Sequence, residues 1–488
     1  MNRIDAAQAN LPKAAHTGGR FAIVRAVAAR ELRDHLLGAR FRLIVGTALV
    51  LTLLSTLAGT FNYRAQLEQY QTSLERARQK LHEATTWSEL QAVLVRPVAP
   101  LMILNSGFET RDGRIAVASN GQIPASTEDS PVGTPYLARF SELDVTTVMV
   151  YLLGLLAVLL SFDAVSGERE RGTLALSFSN SLARWQVVLG KYLGGMCALA
   201  LALTASLLTA LSVWLVSGTR FPGAEWPRVF LWLLAILIYL SAMFWIGLLI
   251  SVLTRRTSSS LLAAMVTWFA LVIFVPALAA FEARQLIRSP SSYALEKEMA
   301  KLSDELEQRS AEFKKSLGEP PESEGFSISL EQGVSMNFYS PETYAWWIKY
   351  YAARAQLERE YALKTYNAIK ESLARNRAQA EMAFKLSALS PVAHLERVVD
   401  ELTATSRDDA YNFLEAARRY RERLVAFYDA NHLTTSLRWI TDDPPGAESP
   451  FPKGAKLGER AKTEEETKRE TELGKQMYAR VMAERESG

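Results

Sequence analysis

The chain has 488 residues, 49% of them apolar, with 55 basic against 52 acidic side chains and a formal net charge of +3. Cys197 is the single cysteine, which excludes an intrachain disulfide framework. Near-balanced charge without a basic block argues against a nucleic-acid-binding role. In chain order, five runs carry no Asp, Glu, Lys, Arg or His: residues 43–61, 145–162, 193–216, 229–253 and 260–280. A helix needs about 20 apolar residues to cross a bilayer, and buried helices of soluble proteins rarely stay uncharged on every face for so long. The expected fold is therefore an all-α integral membrane protein with about five transmembrane helices. The spans lack the acid or histidine that proton-coupled carriers place in the membrane as a relay, which argues against a self-contained ion-driven transporter.

Lys and Arg in short flanking segments set the orientation. Arg3, Lys13, Arg20, Arg25, Arg30, Arg33, Arg40 and Arg42 precede the first span. Arg169, Arg171, Arg184 and Lys191 lie between spans two and three, and Arg255 and Arg256 between four and five. All three sets share one side if the N-terminal segment, residues 1–42, is cytoplasmic. Residues 62–144 and 281–458 then face outward. After residue 280 no apolar stretch is long enough to return. The C-terminal end is thus expected outside, unless a sixth span lies beyond these residues.

The outward segments read as mainly helical. Leu67, Tyr70, Leu74, Ala77 and Leu81 continue the first span as a helix to about Glu83. After a break at Ser289-Pro290, an apolar seam runs through Leu295, Met299, Leu302, Leu306, Phe313 and Leu317. Residues 319–339 are a loop or short strands. Ser340-Pro341 and Ser390-Pro391 each present a Ser N-cap followed by Pro at the first helical position, opening helices over about 341–389 and 391–402. A further helix covers about 408–429. Antiparallel packing of 295–317 on 341–389 would form a stalk, its seams serving internal packing or an intermolecular coiled coil. The aromatic cluster from Tyr344 to Tyr351 is expected in the core. Residues 442–458 form a Pro/Gly-rich connector and 459–488 a charged tail.

The segment 163–192 is the most informative. It contains Asp163-Ala-Val-Ser166-Gly167-Glu168-Arg169-Glu170-Arg171-Gly172-Thr173-Leu174-Ala-Leu176, then Asn180-Ser181, Arg184 and Leu189-Gly190-Lys191. Span two ends at Phe162, a short charged helix follows at the interface, Gly172-Thr173 turns it, and Arg184 and Lys191 snorkel at the start of span three. Such a helix could dock in a groove on a partner.

This word order resembles the type-2 ATP-binding-cassette (ABC) exporter permeases, in a subfamily with large extracytoplasmic insertions. Asp163, Gly167, Glu168, Arg169, Glu170, Gly172, Thr173, Leu174, Arg184 and Lys191 match the family's ATPase-coupling segment. Asn180-Ser181 departs from the usual Thr/Ser-Pro. Residues 31–37, with Glu31 and Arg33, are similar to the amphipathic elbow helix before span one. The resemblance implies a multi-pass protein of the bacterial inner (plasma) membrane with a cytoplasmic N-terminus. It further implies a second permease chain, identical or related, and two ABC ATPase subunits that bind ATP and Mg, so that this chain holds no cofactor and is not itself an enzyme. The chain has no G-x-x-x-x-G-K-[ST] loop, since Tyr192 follows Gly190-Lys191. The implied function is coupling of a partner's ATP hydrolysis to substrate export or extraction. The alternative is an ATP-driven conformational transmitter whose outer stalk acts on a periplasmic partner without moving solute, and a third reading is a scaffold without an ATPase.

Other chemistry is faint. The five histidines have no metal-ligand spacing, and no catalytic residues stand out. Thr204, Ser206, Thr209 and Ser212 are candidates to line a substrate path in span three, against the plainer role of bonding their own helix carbonyls or gluing helices together. Membrane lipid is the remaining expected contact.

Overall fold

The computed structural model describes residues 20–83, 90–107, 113–126, 144–173, 183–218, 223–321, 326–329, 335–338 and 341–434. Among the described residues, five helical stretches are long and apolar enough to cross a membrane: Ala39–Leu81, Val145–Glu170, Arg184–Ser217, Gly223–Leu253 and Thr257–Leu286. They are spans one to five below, and they establish an all-α integral membrane protein. A short helix α1 (Arg20–Leu37) precedes α2 (Ala39–Glu83), which holds span one and continues well past it. Span two is broken into α3 (Val145–Val148), a π-helical turn at Met149–Leu153 and α4 (Gly154–Ser161), followed by the short α5 (Ser166–Glu170). Span three is α6 (Arg184–Ser217) and span four α7 (Trp226–Leu253). Span five comprises α8 (Thr257–Phe269), a second π-helical turn at Ala270–Phe274 and α9 (Val275–Leu286).

Apolar burial explains the bundle. One core joins Leu153, Leu156 and Leu160 of span two, Leu199 and Leu203 of span three, and Trp232, Ile236, Leu240 and Phe244 of span four. The lipid-facing sides keep large apolar residues exposed, as the bilayer requires; Val216 and Phe230 are examples. Cys197 is one of these outward-facing residues of span three.

The remaining elements gather at the end of the bundle where span two begins, here the stalk end; the opposite end is the motif end. A hairpin of β1 (Ala92–Val95) and β2 (Ile115–Ala118) pairs Ala92 with Ala118 and Val95 with Ile115. Helices α10 (Ser292–Ser316) and α11 (Pro341–Leu386) lie antiparallel. Arg354 meets Glu307 at 3.2 Å, Arg309 meets Glu360 at 3.1 Å, and the Trp346 indole donates to the Leu317 carbonyl at 3.3 Å. Trp346 and Tyr350 are buried and stack at 5.9 Å. A second hairpin, β3 (Phe326–Ser329) with β4 (Ser335–Phe338), lies between these two helices in sequence. Helices α12 (Pro391–Leu402) and α13 (Arg407–Ala430) follow, with Ser390 and Ser406 as N-caps. Tyr428 of α13 is fully buried against Leu90, Ala92, Ala118 and Ala355, which fastens the first hairpin to α11 and α13. The connector at 442–458 and the tail at 459–488 lie outside the described residues.

Candidate functional site

The motif end is built from α1, α5 and the adjoining ends of all five spans. Helix α1 lies against α6 because glycine removes the side chains that would hold them apart. A Cβ at Gly190 would stand 2.7 Å from the Val27 side chain, and one at Gly194 would stand 2.7 Å from both the Ala28 carbonyl oxygen and the Glu31 Cβ. Two glycines four residues apart place both clearances on one face of the helix. That close approach aims Glu31 at Lys191. The Lys191 ammonium, 3% exposed, lies 2.6 Å from Glu31 Oε1 and 2.8 Å from Glu168 Oε1. An ammonium this deep requires compensating charge, and here it has two carboxylates from two other helices.

Residues 168–170 then attach α5 to three different spans. Glu168 holds Lys191 of span three. The Arg169 guanidinium donates to the Thr254 carbonyl at 2.7 Å and the Val252 carbonyl at 3.3 Å, occupying acceptors at the C-terminal end of span four. The Glu170 carboxylate accepts from the Thr257 amide at 2.9 Å and from its hydroxyl, serving the unpaired amides that open span five. Backbone contacts tighten the joint. Ser251 Oγ accepts the Val165 and Ser166 amides at 2.9 and 3.0 Å, and Ser260 Oγ donates to the Phe162 carbonyl at 2.5 Å. A Cβ at Gly167 would sit 3.4 Å from Thr257 Cγ2, so this turn lies flush on span five. Gly172 ends α5 at φ +74°, a left-handed conformation that glycine adopts without strain.

The other residues singled out from sequence separate in space. Asp163 meets Arg40 at 3.4 Å in a largely exposed pair that contributes little. Thr173 donates its hydroxyl back to the Glu168 carbonyl at 3.2 Å. Arg184 opens α6, and Arg33 is exposed on the face of α1 away from Glu31. Leu174, Leu176 and Asn180-Ser181 lie outside the described residues. In span three, Thr204 and Thr209 donate to the Ala200 and Ala205 carbonyls at 2.8 and 2.9 Å, and Ser212 donates to the Thr209 carbonyl at 2.8 Å. Thr204 and Ser212 are exposed on the outward side, whereas Ser206 is fully buried, so the four do not form one line. Sequence reasoning missed Ser251, Thr257 and Ser260, which sit in or beside apolar runs. The four-residue spacing of Gly190 and Gly194 was the available signal for the α1 contact. Among the described residues, no group of three His, Cys, Asp or Glu side chains forms a metal site.

Two tests arise from this geometry. Replacing Glu170 with Ala should accelerate hydrogen exchange at the Thr257 amide, whereas Gln, which keeps an acceptor, should protect it partly. His35, one turn beyond Glu31 on α1, is held below its ordinary pKa of 6.5 by burial, against the opposing pull of the Glu31 and Asp163 carboxylates. The unfolded chain therefore takes up this proton at higher pH than the folded one. The stability contributed by neutral His35 is complete above about pH 6.5 and declines as pH falls through that value. Melting curves from pH 8 to 5.5 should show this decline, and His35→Gln should flatten it.

A family model described as ABC-2 family transporter protein matches residues 25–441. A 57-residue stretch is 47% identical to a probable ABC transporter permease protein NosY of Pseudomonas aeruginosa, covering 12% of this chain and 21% of that protein. A 56-residue stretch is 45% identical to the protein of the same name from Stutzerimonas stutzeri, covering 12% of this chain and 20% of that one. The chain thus spans about a fifth of the length of the curated relatives it matches. The family match runs from α1 through all five spans to beyond α13, and on that extent the chain belongs to the ABC-2 family of transporter proteins.

Proposed function

We propose that the chain is the membrane-spanning permease subunit of an ABC-type exporter, with α5 and the turn after it facing the cytoplasm and docking on a partner ATPase. The observation that carries this reading is the distribution of three consecutive side chains. Glu168, Arg169 and Glu170 bind spans three, four and five respectively, while α5 continues directly from span two. A push on this one short helix is shared by four spans at once, as a lever driven from outside requires. The chain has no phosphate loop of its own, so the drive comes from ATP and Mg bound by separate subunits, two copies per pair of permease chains. The Lys/Arg bias of the flanking segments supports a cytoplasmic motif end, and the family resemblance supports a location in a bacterial inner membrane.

The test is a pull-down of the tagged chain from detergent-solubilised membranes, with mass spectrometry of everything retained. A co-purifying protein carrying a phosphate-loop sequence is the expected result. Deleting residues 168–173 should abolish transport, with membrane insertion unchanged. Transport that survives the deletion would refute the lever. Arg171→Cys in a Cys197→Ser background should resist an impermeant thiol reagent on intact cells and react after lysis.

A further inference from the structure

Helix α12 follows the stalk helix α11 in sequence and packs its apolar face into the core of the spans. Its Val392, Leu395 and Val399 are buried in the same apolar cluster as Trp232, Ile236 and Leu240 of span four. In sequence it joins α11 of the stalk to α13. Both of its ends are tied to the bundle by buried polar contacts.

At the first end, Ser390 is fully buried and its hydroxyl donates to the Leu271 carbonyl at 2.6 Å. Leu271 lies inside the π-helical turn of span five. At the second end, Asn105 is buried in the loop after β1. Its amide nitrogen lies 2.8 Å from Asp400 Oδ1, 3.2 Å from the Thr403 hydroxyl and 3.1 Å from the Thr405 hydroxyl. The preceding carbonyl, of Leu104, accepts both the amide and the hydroxyl of Thr146 at 3.0 Å, and the Trp232 indole donates to that hydroxyl at 3.0 Å. The route therefore runs from the α12–α13 junction through Asn105 and Leu104 to the first turn of span two and to span four. One turn deeper, span two has its own π-helical segment, where the Tyr239 hydroxyl of span four donates to the Val150 carbonyl at 2.9 Å.

Each π-helical turn thus has one carbonyl held by a hydroxyl from another element. Such turns sit where a helix can change register, and they are frequent at functional positions. We propose that α12 is a yoke: it fixes span five to spans two and four at the stalk end, so that a change in their separation is converted into movement of α11 and α13. Ser390 and Asn105 are its positioning residues. This inference rests on the reading of α5 as an ATPase-driven lever and supplies that lever's output.

The experiment uses the full chain, co-purified with its ATPase in nanodiscs, in a Cys197→Ser background. One spin-label pair, Lys349→Cys with Val216→Cys, reports the stalk against span three; a second, Arg171→Cys with Val216→Cys, reports α5. Both distances are read without nucleotide and after trapping with ATP and vanadate. Both pairs should shift in the parent chain. With Ser390→Ala or Asn105→Ala the α5 pair should keep its shift while the stalk pair loses it, and Ser390→Thr, which retains the donor, should restore it. Ser390→Gly separates the latch from helix capping, because glycine serves an N-cap nearly as well as serine. Its loss of the stalk shift is expected. Thermal midpoints of the variants must stay near the parent's for this comparison, and Ser390→Thr supplies a folded control if the alanine variants collapse. A stalk shift that persists in Ser390→Gly and Asn105→Ala overturns the yoke. An α5 pair that fails to shift in the parent chain overturns the lever instead.

Discussion

Lys191→Met is expected to be the most damaging single substitution at the motif end. The variant keeps the length of the side chain and removes the charge that Glu31 and Glu168 share at 2.6 and 2.8 Å. Both carboxylates are largely buried, with 15% and 21% of their side chains exposed. Breaking a buried ion pair by deleting one partner costs about 3–5 kcal/mol, since the other charge is left uncompensated. Against typical protein stabilities of about 5–15 kcal/mol, that loss is large. The expected readings are a strongly lowered thermal midpoint in detergent and failure to retain the partner ATPase. The triple variant Lys191→Met, Glu31→Gln, Glu168→Gln removes the charges together and should recover most of the stability, because an apolar or neutral replacement of a whole buried network is often tolerated. It should not recover coupling, because Glu168 would no longer hold span three to α5 by charge. A Lys191→Met midpoint equal to that of the parent chain would show that the triad contributes nothing.

Much of this architecture was legible from local pattern. The uncharged runs located all five spans, because the bilayer sets a length that soluble helices rarely match. The Ser-Pro pairs marked the starts of α11 and α12 within a residue, because N-caps and first-turn prolines act locally. The motif residues Glu168, Arg169 and Glu170 were legible as a unit, whereas the span each one holds was not. That depends on contacts 83 to 87 residues distant, or 23 in the case of Lys191. The π-helical turns were equally invisible: their sequences, Met149–Leu153 and Ala270–Phe274, look like any apolar helix, and the hydroxyls that hold them come from span four and from α12. The packing of α12 into the core of the spans was hidden for a related reason. With His394, Glu396, Arg397 and Asp400 along its length, the helix reads as an ordinary surface element until Val392, Leu395 and Val399 are seen to share one buried face.

Gly194→Val should displace α1 and so separate Glu31 from Lys191 without touching either charge. A Cβ at this position meets the Ala28 carbonyl oxygen at 2.7 Å and the Leu32 amide nitrogen at 3.2 Å, both backbone atoms that cannot rotate away. Overpacking of this kind typically costs about 1–3 kcal/mol, and the two methyl groups of valine add volume beyond the Cβ. The helix must move outward, and the ion pair on its next turn moves with it. The loss should therefore exceed that of Gly194→Ala, and it should be less than additive with Glu31→Gln, because both changes undo the same contact. Gly46, in span one, provides the comparison. A Cβ there meets nothing within 4 Å, so Gly46→Ala should leave the midpoint unchanged or raise it, as removing an exposed mid-helix glycine usually does. Limited trypsin digestion at Arg30 and Arg33, read beside the thermal midpoint, distinguishes a displaced α1 from general unfolding. Faster cleavage at these two sites, with the rest of the chain still protected, is the expected outcome for Gly194→Val. Equal midpoints and equal cleavage for the Gly194 and Gly46 variants would mean that α1 is not held by close packing on span three.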